Sequence, residues 1–370
     1  MSSTKTLQQR KISKATTAAT SPGSETETKH AGNYGGNSVK GWVGYLPQSW
    51  VPYIQLARLS PPAGLFLIYF PHAFGLLLAA IKQRSDPSDV LFAAGKLLAG
   101  SFFVSNAIHI WNDLIDAPLD AKVERTRHRP IPRGAVSPSA ALVFTATQAA
   151  GAAYFLPTME GDTWQNFLYS VPGILGWTYY PYAKRQVPAP QAVLGFCLAW
   201  GNVMGEKTMG VEAFTTGLLG SNSVPAVQYG SAALFAAVLL WSMIYDTVYA
   251  HQDLEDDLKN GIFSLAVLCR GKTKVLLWLL LALMVGSLVG TGIWEGLGAV
   301  YYLGAVGGAA ASLGSMIIFV DLKDSESCWW WFGNGFWYAG GAIATGLAGE
   351  YAMKAGLLDL VLEGLRMEGI

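Results

Sequence analysis

Charge is scarce in this sequence. Only 14% of its 370 residues are Asp, Glu, Lys or Arg, against roughly 25% in soluble domains, while 52% are hydrophobic. That deficit excludes the pair of soluble domains that length alone would suggest. The 25 Lys and Arg balance 25 Asp and Glu, so no basic excess points to nucleic acid and no acidic excess to a solvating tail. Cysteine is rarer still. Cys197, Cys269 and Cys328 are too few and too scattered for a disulfide framework or a zinc site, and read as free thiols.

What is abundant is apolar length. A spanning helix needs about 20 apolar residues, and nine windows nearly free of charge meet that requirement: 62–81, 90–111 (with Lys96), 135–157, 163–183, 187–205, 217–245, 275–294, 296–320 and 327–349. Internal Gly and Pro are tolerated in membrane helices that pack through small residues. The expectation is an all-α integral membrane protein with about nine transmembrane helices over residues 49–370. Residues 1–48, dominated by Ser, Thr, Lys, Gln and Gly, read as a disordered polar tail without a signal-peptide core. Lys5, Arg10, Lys11 and Lys14 give it the bias of a mitochondrial transit peptide, but Leu7 and Ile12 supply little apolar surface. An endoplasmic-reticulum-type membrane is favoured over the mitochondrial inner membrane.

Basic residues sort by side. The tail through Arg58 and the loops after the second, fourth and sixth spans hold most of them, whereas the opposite side holds Lys82, Arg84, Lys207, Lys323, Lys354 and Arg366. By the positive-inside rule the N-terminus and the even loops face the cytosol, or the matrix of a mitochondrion.

Eight acids fall in two short windows on that same face. In the first, Asn112, Asp116 and Asp120 recur at steps of four around Asp113; in the second, Asp246, Asp253 and Asp257 are spaced seven and four, with Glu255 and Asp256 beside them. Such spacings stack side chains on one helix face. Stacked carboxylates near a membrane need cations, and oxygen-only clusters suit Mg²⁺ bridging to a substrate phosphate. The plain alternative is solvated loop acids paired with nearby Arg and Lys. Arg125, Arg127, Arg129 and Arg133 follow the first window, and Lys184 and Arg185 follow Tyr180 at the end of the fourth span; each run suits a polyanion and each also suits ordinary positive-inside dressing. Pro118 should break or kink the first acidic helix, leaving Asp120 past its end.

Together these residues resemble the UbiA superfamily of intramembrane prenyltransferases, from about residue 50 onward. Asn112, Asp113, Asp116 and Asp120 match its first motif, Arg125, Thr126, Arg129 and Pro130 the segment after it, and Tyr180 and Lys184 its Tyr-x-x-x-Lys element. Asp246, Thr247, Tyr249, Ala250, Asp253, Asp256, Asp257, Lys259 and Gly261 match its second motif. Arg58 to Gly64 looks like the entry to its first span, with Pro61 in place of the usual lysine.

The resemblance implies a central cavity with a cytosolic-side cap of loops, and transfer of an allylic prenyl diphosphate's isoprenoid to a small aromatic acceptor within the lipid bilayer. Mg²⁺ would be held among Asp113, Asp116, Asp120, Asp246, Asp253, Asp256 and Asp257. Asp116, Asp253 and Lys184 would carry catalysis, with Asn112, Arg58, Arg125, Arg129, Tyr180, Arg185 and Lys259 binding substrate. The 4-hydroxybenzoate polyprenyltransferases of that superfamily carry a small Ala-Gly-Cys segment before the first motif and an Arg after it; here Ala107-Ile108-His109 and Ala117 stand there. Those departures look more like the fungal branch that attaches farnesyl-type chains to polyketide-derived phenolic acids in meroterpenoid biosynthesis, with the ubiquinone role as the alternative. An ion-coupled transporter is the competing class, since intramembrane acids often mark ion paths, but its acids belong at the midplane.

Overall fold

The computed structural model describes residues 41–215 and 226–357. The first 40 positions of the expected tail, and Arg366, lie outside the described residues; Gly41–Tyr45 form a single 3-10 turn on which Val43 is buried. Among the described residues nine long helices follow: α1 (Ala63–Gln83), α2 (Pro87–Asp120), α3 (Pro138–Ala153), α4 (Thr163–Gln186), α5 (Pro190–Thr208), α6 (Tyr229–Ala250), α7 (Thr273–Trp294), α8 (Gly308–Phe319) and α9 (Ser325–Lys354). Strand is confined, among the described residues, to one antiparallel ladder pairing β1 (Phe214–Thr215) with β2 (Ala226–Val227). The architecture is all-helical, as expected.

Local chemistry sets the helix starts. Ser137 accepts the Ala140 amide ahead of α3, Asp162 that of Gln165 ahead of α4, and Asp324 those of Glu326 and Ser327 ahead of α9. Each satisfies an amide that has no partner within its helix. Six stretches are long and apolar enough to cross a membrane: Ala63–Gln83, Pro87–Asp120, Pro138–Thr158, Tyr229–Asn260, Thr273–Trp294 and Ala299–Phe319. The helices α4, α5 and α9 are as long, but polar residues such as Asn166, Glu206 and Glu350 dilute their apolar content.

Three expectations are corrected. The α2 helix continues through Pro118 to Asp120, because so close to the end the proline removes one ladder bond where few remain. The second acidic window does not lie on one continuous helix: α6 stops at Ala250, a 3-10 turn spans His251–Asp253, and a short helix Leu254–Asn260 follows. The sixth span begins at Tyr229, not near residue 217; residues 217–225 lie outside the described residues.

The main core runs through α1, α2 and α5 to α9, around Phe74, Leu234, Trp241, Tyr245 and Phe336. By contrast α3 buries only Ala141 and leaves Leu142 and Val143 exposed, as an outer helix against lipid tails would. Close packing of α1 on α5 rests on glycine. A Cβ at Gly75 would strike the Asn202 carbonyl, and one at Gly205 the carbonyl of His72, so the two backbones meet as small-residue membrane helices do.

The two ends differ. At one, Lys82 from the end of α1 meets Glu206 of α5 at 3.3 Å, Glu295 past the end of α7 at 3.0 Å, and Gln228 and Ser231 at the start of α6, both at 2.8 Å. At the other, the ends of α2, α4 and α6 converge with the turns of 121–136 and the helices Leu254–Asn260 and Leu265–Leu268. The loops after α2, α4 and α6 that charge sorting grouped together therefore do meet in space, but Lys323, expected on the opposite side, lies in the connection of α8 to α9 at this same end, where Lys274 donates to the Ile318 carbonyl.

Candidate active site

A cavity of about 200 Å³ opens where those three helices end. From α2 come His109, Asn112, Asp116 and Asp120; from the following turns Arg125 and Arg129; from α4 Tyr180 and Lys184; from α6 Asp246 and Tyr249; from the segment beyond it Asp253 and Asp257. Arg58, Gln191 and Phe332 complete the wall. Spacing on separate helices and the sorting of charge to one face were what the residues themselves offered of this convergence.

Cations and carboxylates are already paired. Arg125 grips Asp253 in a fork, Nε to Oδ1 at 2.9 Å and Nη2 to Oδ2 at 2.5 Å, and its Nη1 donates to the Tyr249 hydroxyl at 2.8 Å. Lys184 Nζ donates to Asp116 at 2.7 Å while lying 5.2 Å from the centre of the Tyr180 ring, and Arg185 approaches the same carboxylate at 3.4 Å. Arg129 bridges Asp113 at 3.0 Å and Asp120 at 2.9 Å, and Arg58 donates to Asp113 at 2.7 Å. Burial alone would pull the Arg125 and Arg129 guanidiniums down; the Asp253 carboxylate holds the first above its ordinary value, and Asp113 and Asp120 hold the second there. Both stay cationic. The turns that deliver them are fixed by Thr126, whose hydroxyl donates to the Asp120 carbonyl at 3.0 Å. Arg58 holds a left-handed backbone (φ 54°), a conformation that costs a side-chain-bearing residue about 1 kcal/mol or more and tends to persist where function over-determines it.

Not every expected residue faces the cavity. Asp113 is 1% exposed and lies behind it, between Arg58 and Arg129. Asp256 accepts the Glu124 amide and stands 3.6 Å from Lys259, which points outward at 69% side-chain exposure. Tyr249 and Gln191 are site residues that sequence reasoning did not assign. The first stood inside the matched motif as an unremarked aromatic; the second, whose Oε1 accepts the Leu265 amide at 2.9 Å, is a neutral side chain at a helix start and carried no signal.

Among the described residues no group of three or more Asp, Glu, His or Cys stands ready to hold a metal. Two side chains nevertheless offer unpartnered oxygens there: buried Asn112 Oδ1 has no hydrogen bond, and the Asp257 carboxylate, 8% exposed on the cavity wall, has no hydrogen bond or ion pair among the described residues. Unpartnered oxygen donors of this kind fit a hard divalent cation.

A second cavity, about 440 Å³ and apolar, shares Ile108 and Trp177 with the first. It lies among α2, α3, α4 and α5, where Gly100, Ser101, Ala107, Ala149, Ala152 and Gly173 leave the space that larger side chains would fill. Lys96, whose Nζ donates to the Thr158 carbonyl at 2.7 Å, stands in its wall towards the opposite end.

The sequence profile described as "UbiA prenyltransferase family" matches residues 68–340. The mitochondrial 4-hydroxybenzoate polyprenyltransferase of Schizosaccharomyces pombe is 33% identical over 322 residues, covering 87% of this chain and 86% of its own. The UbiA prenyltransferase claS of Ampulloclitocybe clavipes is 34% identical over 313 residues, covering 83% and 93%. Among solved structures, a UbiA homologue from Aeropyrum pernix superposes with a TM-score of 0.62 at 20% identity, over 76% of this chain and 97% of that one. A homologue from Archaeoglobus fulgidus, solved with GPP and Mg²⁺, gives 0.51 at 16%, over 80% and 98%.

Proposed function

This chain belongs to the UbiA prenyltransferase family, and from that premise we propose that it transfers a farnesyl-type group, with Mg²⁺, from an allylic diphosphate to a polyketide-derived phenolic acid. The observation that carries the reading is one place: three helix ends bring carboxylates, arginines and a lysine to a cavity that shares walls with a larger apolar chamber. A diphosphate suits the first and an isoprenoid tail the second.

In this reading Arg125 and Lys184 change partners. Their present partners are carboxylates, and phosphate oxygens entering the cavity offer the same charge and geometry, bidentate for the guanidinium and point-like for the ammonium. Mg²⁺, held among Asp116, Asp120, Asp253 and Asp257 with Asn112 beside them, would neutralise the leaving diphosphate. Lys184 then stands where negative charge grows as the C–O bond ionises, which makes it a transition-state contact. Tyr180, Tyr249 and Phe332 keep water away from the allylic cation and offer it aromatic faces. A nucleophilic ring carbon of the phenol forms the new bond to the cation and then gives up its proton to the departed diphosphate, which restores the aromatic ring.

The same reading has nine helices crossing an endoplasmic-reticulum-type bilayer, the site end and residues 1–48 towards the cytosol, and the turns of 121–136 with the helices after α6 as a cap. A ubiquinone-type role, a polyprenyl chain onto 4-hydroxybenzoate, is favoured by the Schizosaccharomyces pombe relative, with which the match covers most of both chains. Membranes carrying the protein should be given Mg²⁺ with diphosphates of increasing chain length and, separately, 4-hydroxybenzoate or a panel of polyketide-type phenolic acids. A farnesylated phenolic acid found by mass spectrometry supports the main reading, and polyprenylated 4-hydroxybenzoate alone would replace it with the second.

A further inference from the structure

Among the polar side chains of the cavity that the mechanism above leaves unused is that of His109. His109 lies on α2 one turn, about 5.4 Å along the axis, before the Asn112 and Asp113 pair. Residues three and four apart share a helix face, so His109 continues the stripe of Asn112 and Asp116 into the membrane interior. The charged groups nearest it are Arg58, Asp113 and Arg129, and the same cavity wall also carries apolar Gly64, Leu67 and Ile68 from the first helix with Tyr245 and Phe332. The apolar chamber that suits the isoprenoid tail opens on the other side of α2, past Ile108 and Trp177.

The imidazole is oriented. Its Nδ1 lies 2.7 Å from the carbonyl of Ser105, and a carbonyl only accepts, so Nδ1 carries the hydrogen and neutral His109 keeps a bare Nε2. Among the described residues Nε2 makes no hydrogen bond, and the ring lines the cavity. A fixed acceptor atom on a wall that also carries Tyr245, Phe332 and the cationic Arg58 and Arg129 suits an aromatic hydroxyl whose ring bears a carboxylate.

We propose that this part of the cavity is the acceptor subsite and that His109 Nε2 accepts the phenolic O–H of the aromatic substrate. The assignment rests on the prenyl-transfer reading and adds to it the group that recognises the acceptor. Accepting this hydrogen bond transfers no proton. It holds the hydroxyl in register and enriches the ring carbons beside it, one turn below the carboxylates where the allylic C–O bond breaks. His109 acts here as a positioning residue, and the chemistry requires of the acceptor a free hydroxyl.

The test pairs two variants with two acceptors. A preferred phenolic acid and its O-methyl ether are compared in the wild type, His109→Leu and His109→Gln, with KM measured separately for acceptor and for farnesyl diphosphate. Losing one such hydrogen bond should lower kcat/KM for the phenol about tenfold to a hundredfold in His109→Leu, with KM for farnesyl diphosphate unchanged and the preference for phenol over ether abolished. Gln places an oxygen near the Nε2 position and should restore most of both. His109→Asn, polar but too short to reach, should behave as Leu does, which keeps the test decisive if the Leu variant does not fold. Retention of the phenol-over-ether preference in the Leu and Asn variants, or an equal rise in KM for farnesyl diphosphate, would overturn the assignment while leaving prenyl transfer intact. A wild type that prenylates no phenol would overturn the function and this assignment together.

Discussion

Asp113 should prove a structural anchor and not a metal ligand, and Asp113→Asn separates the two. Its Oδ1 receives Arg58 at 2.7 Å and Arg129 at 3.0 Å at 1% exposure, and it does not line the cavity. A hydrogen bond involving a charged group contributes about 1.5–3 kcal/mol and a neutral one about 0.5–1.5 kcal/mol. Asparagine keeps an acceptor oxygen for both guanidiniums, so the bonds stay charge-assisted while the ion pairing goes, and the loss should be about 1–3 kcal/mol in all. Truncation to alanine would remove the shared carboxylate altogether, leaving Asp120 to Arg129, and should cost about 3 kcal/mol or more. Either is a large part of a total stability of about 5–15 kcal/mol. Purified in detergent, Asp113→Asn should unfold several degrees lower than the wild type, while the Mg²⁺ concentration giving half-maximal turnover stays the same. An unchanged unfolding temperature with a Mg²⁺ requirement raised about tenfold, equivalent to 1.4 kcal/mol of lost metal affinity, would refute the reasoning and return Asp113 to the metal set.

Asp253→Asn keeps a partner for Arg125 but loses a full charge at the cavity wall; turnover should fall by about a hundredfold or more, with the protein still membrane-inserted, and near-normal turnover would demote Asp253 to a tether for Arg125. Lys82→Met strips Glu206, which is fully buried, of its cation and leaves it, among the described residues, Ser231 and Asn202; about 3 kcal/mol of stability should go while KM values hold, because this cluster sits at the end opposite the site. Gly205→Ala drives a methyl group into the backbone of α1 at His72 and Leu76, where nothing flexible can yield, and should cost about 1–3 kcal/mol, read as a lower detergent unfolding temperature.

Much of this was legible in the chain because a bilayer is a strict solvent. Apolar length located most of the helices within a few residues, missing the start of α6 and the end of α2, and charge sorting grouped the loops after α2, α4 and α6 but put Lys323 on the wrong side, since the connection of α8 to α9 lies at the site end. What failed was local. Pro118 was given the power to end a helix, yet in a last turn it removes a bond that frays anyway; the spacing of Asp246, Asp253 and Asp257 was read as one helix, though a 3-10 turn intervenes and still delivers all three to the cavity. Motif membership alone could not say which way a carboxylate points. Asp113 and Asp116 are three residues apart, and tertiary context turns one to Arg58 and Arg129 and the other to Lys184. Gln191 was invisible because a neutral residue signals nothing without its neighbours. The transporter alternative ends with family membership.

The central claim is that carboxylates at one membrane face serve a metal-assisted departure of diphosphate coupled to prenylation of a phenol. Vesicles containing the wild-type protein, stripped with EDTA and supplied with farnesyl diphosphate and a phenolic acid, should form no adduct until Mg²⁺ is restored, and should then release one diphosphate for each farnesylated phenol. Adduct formation that survives EDTA, or diphosphate release with no prenylated phenol from any acceptor, would contradict it.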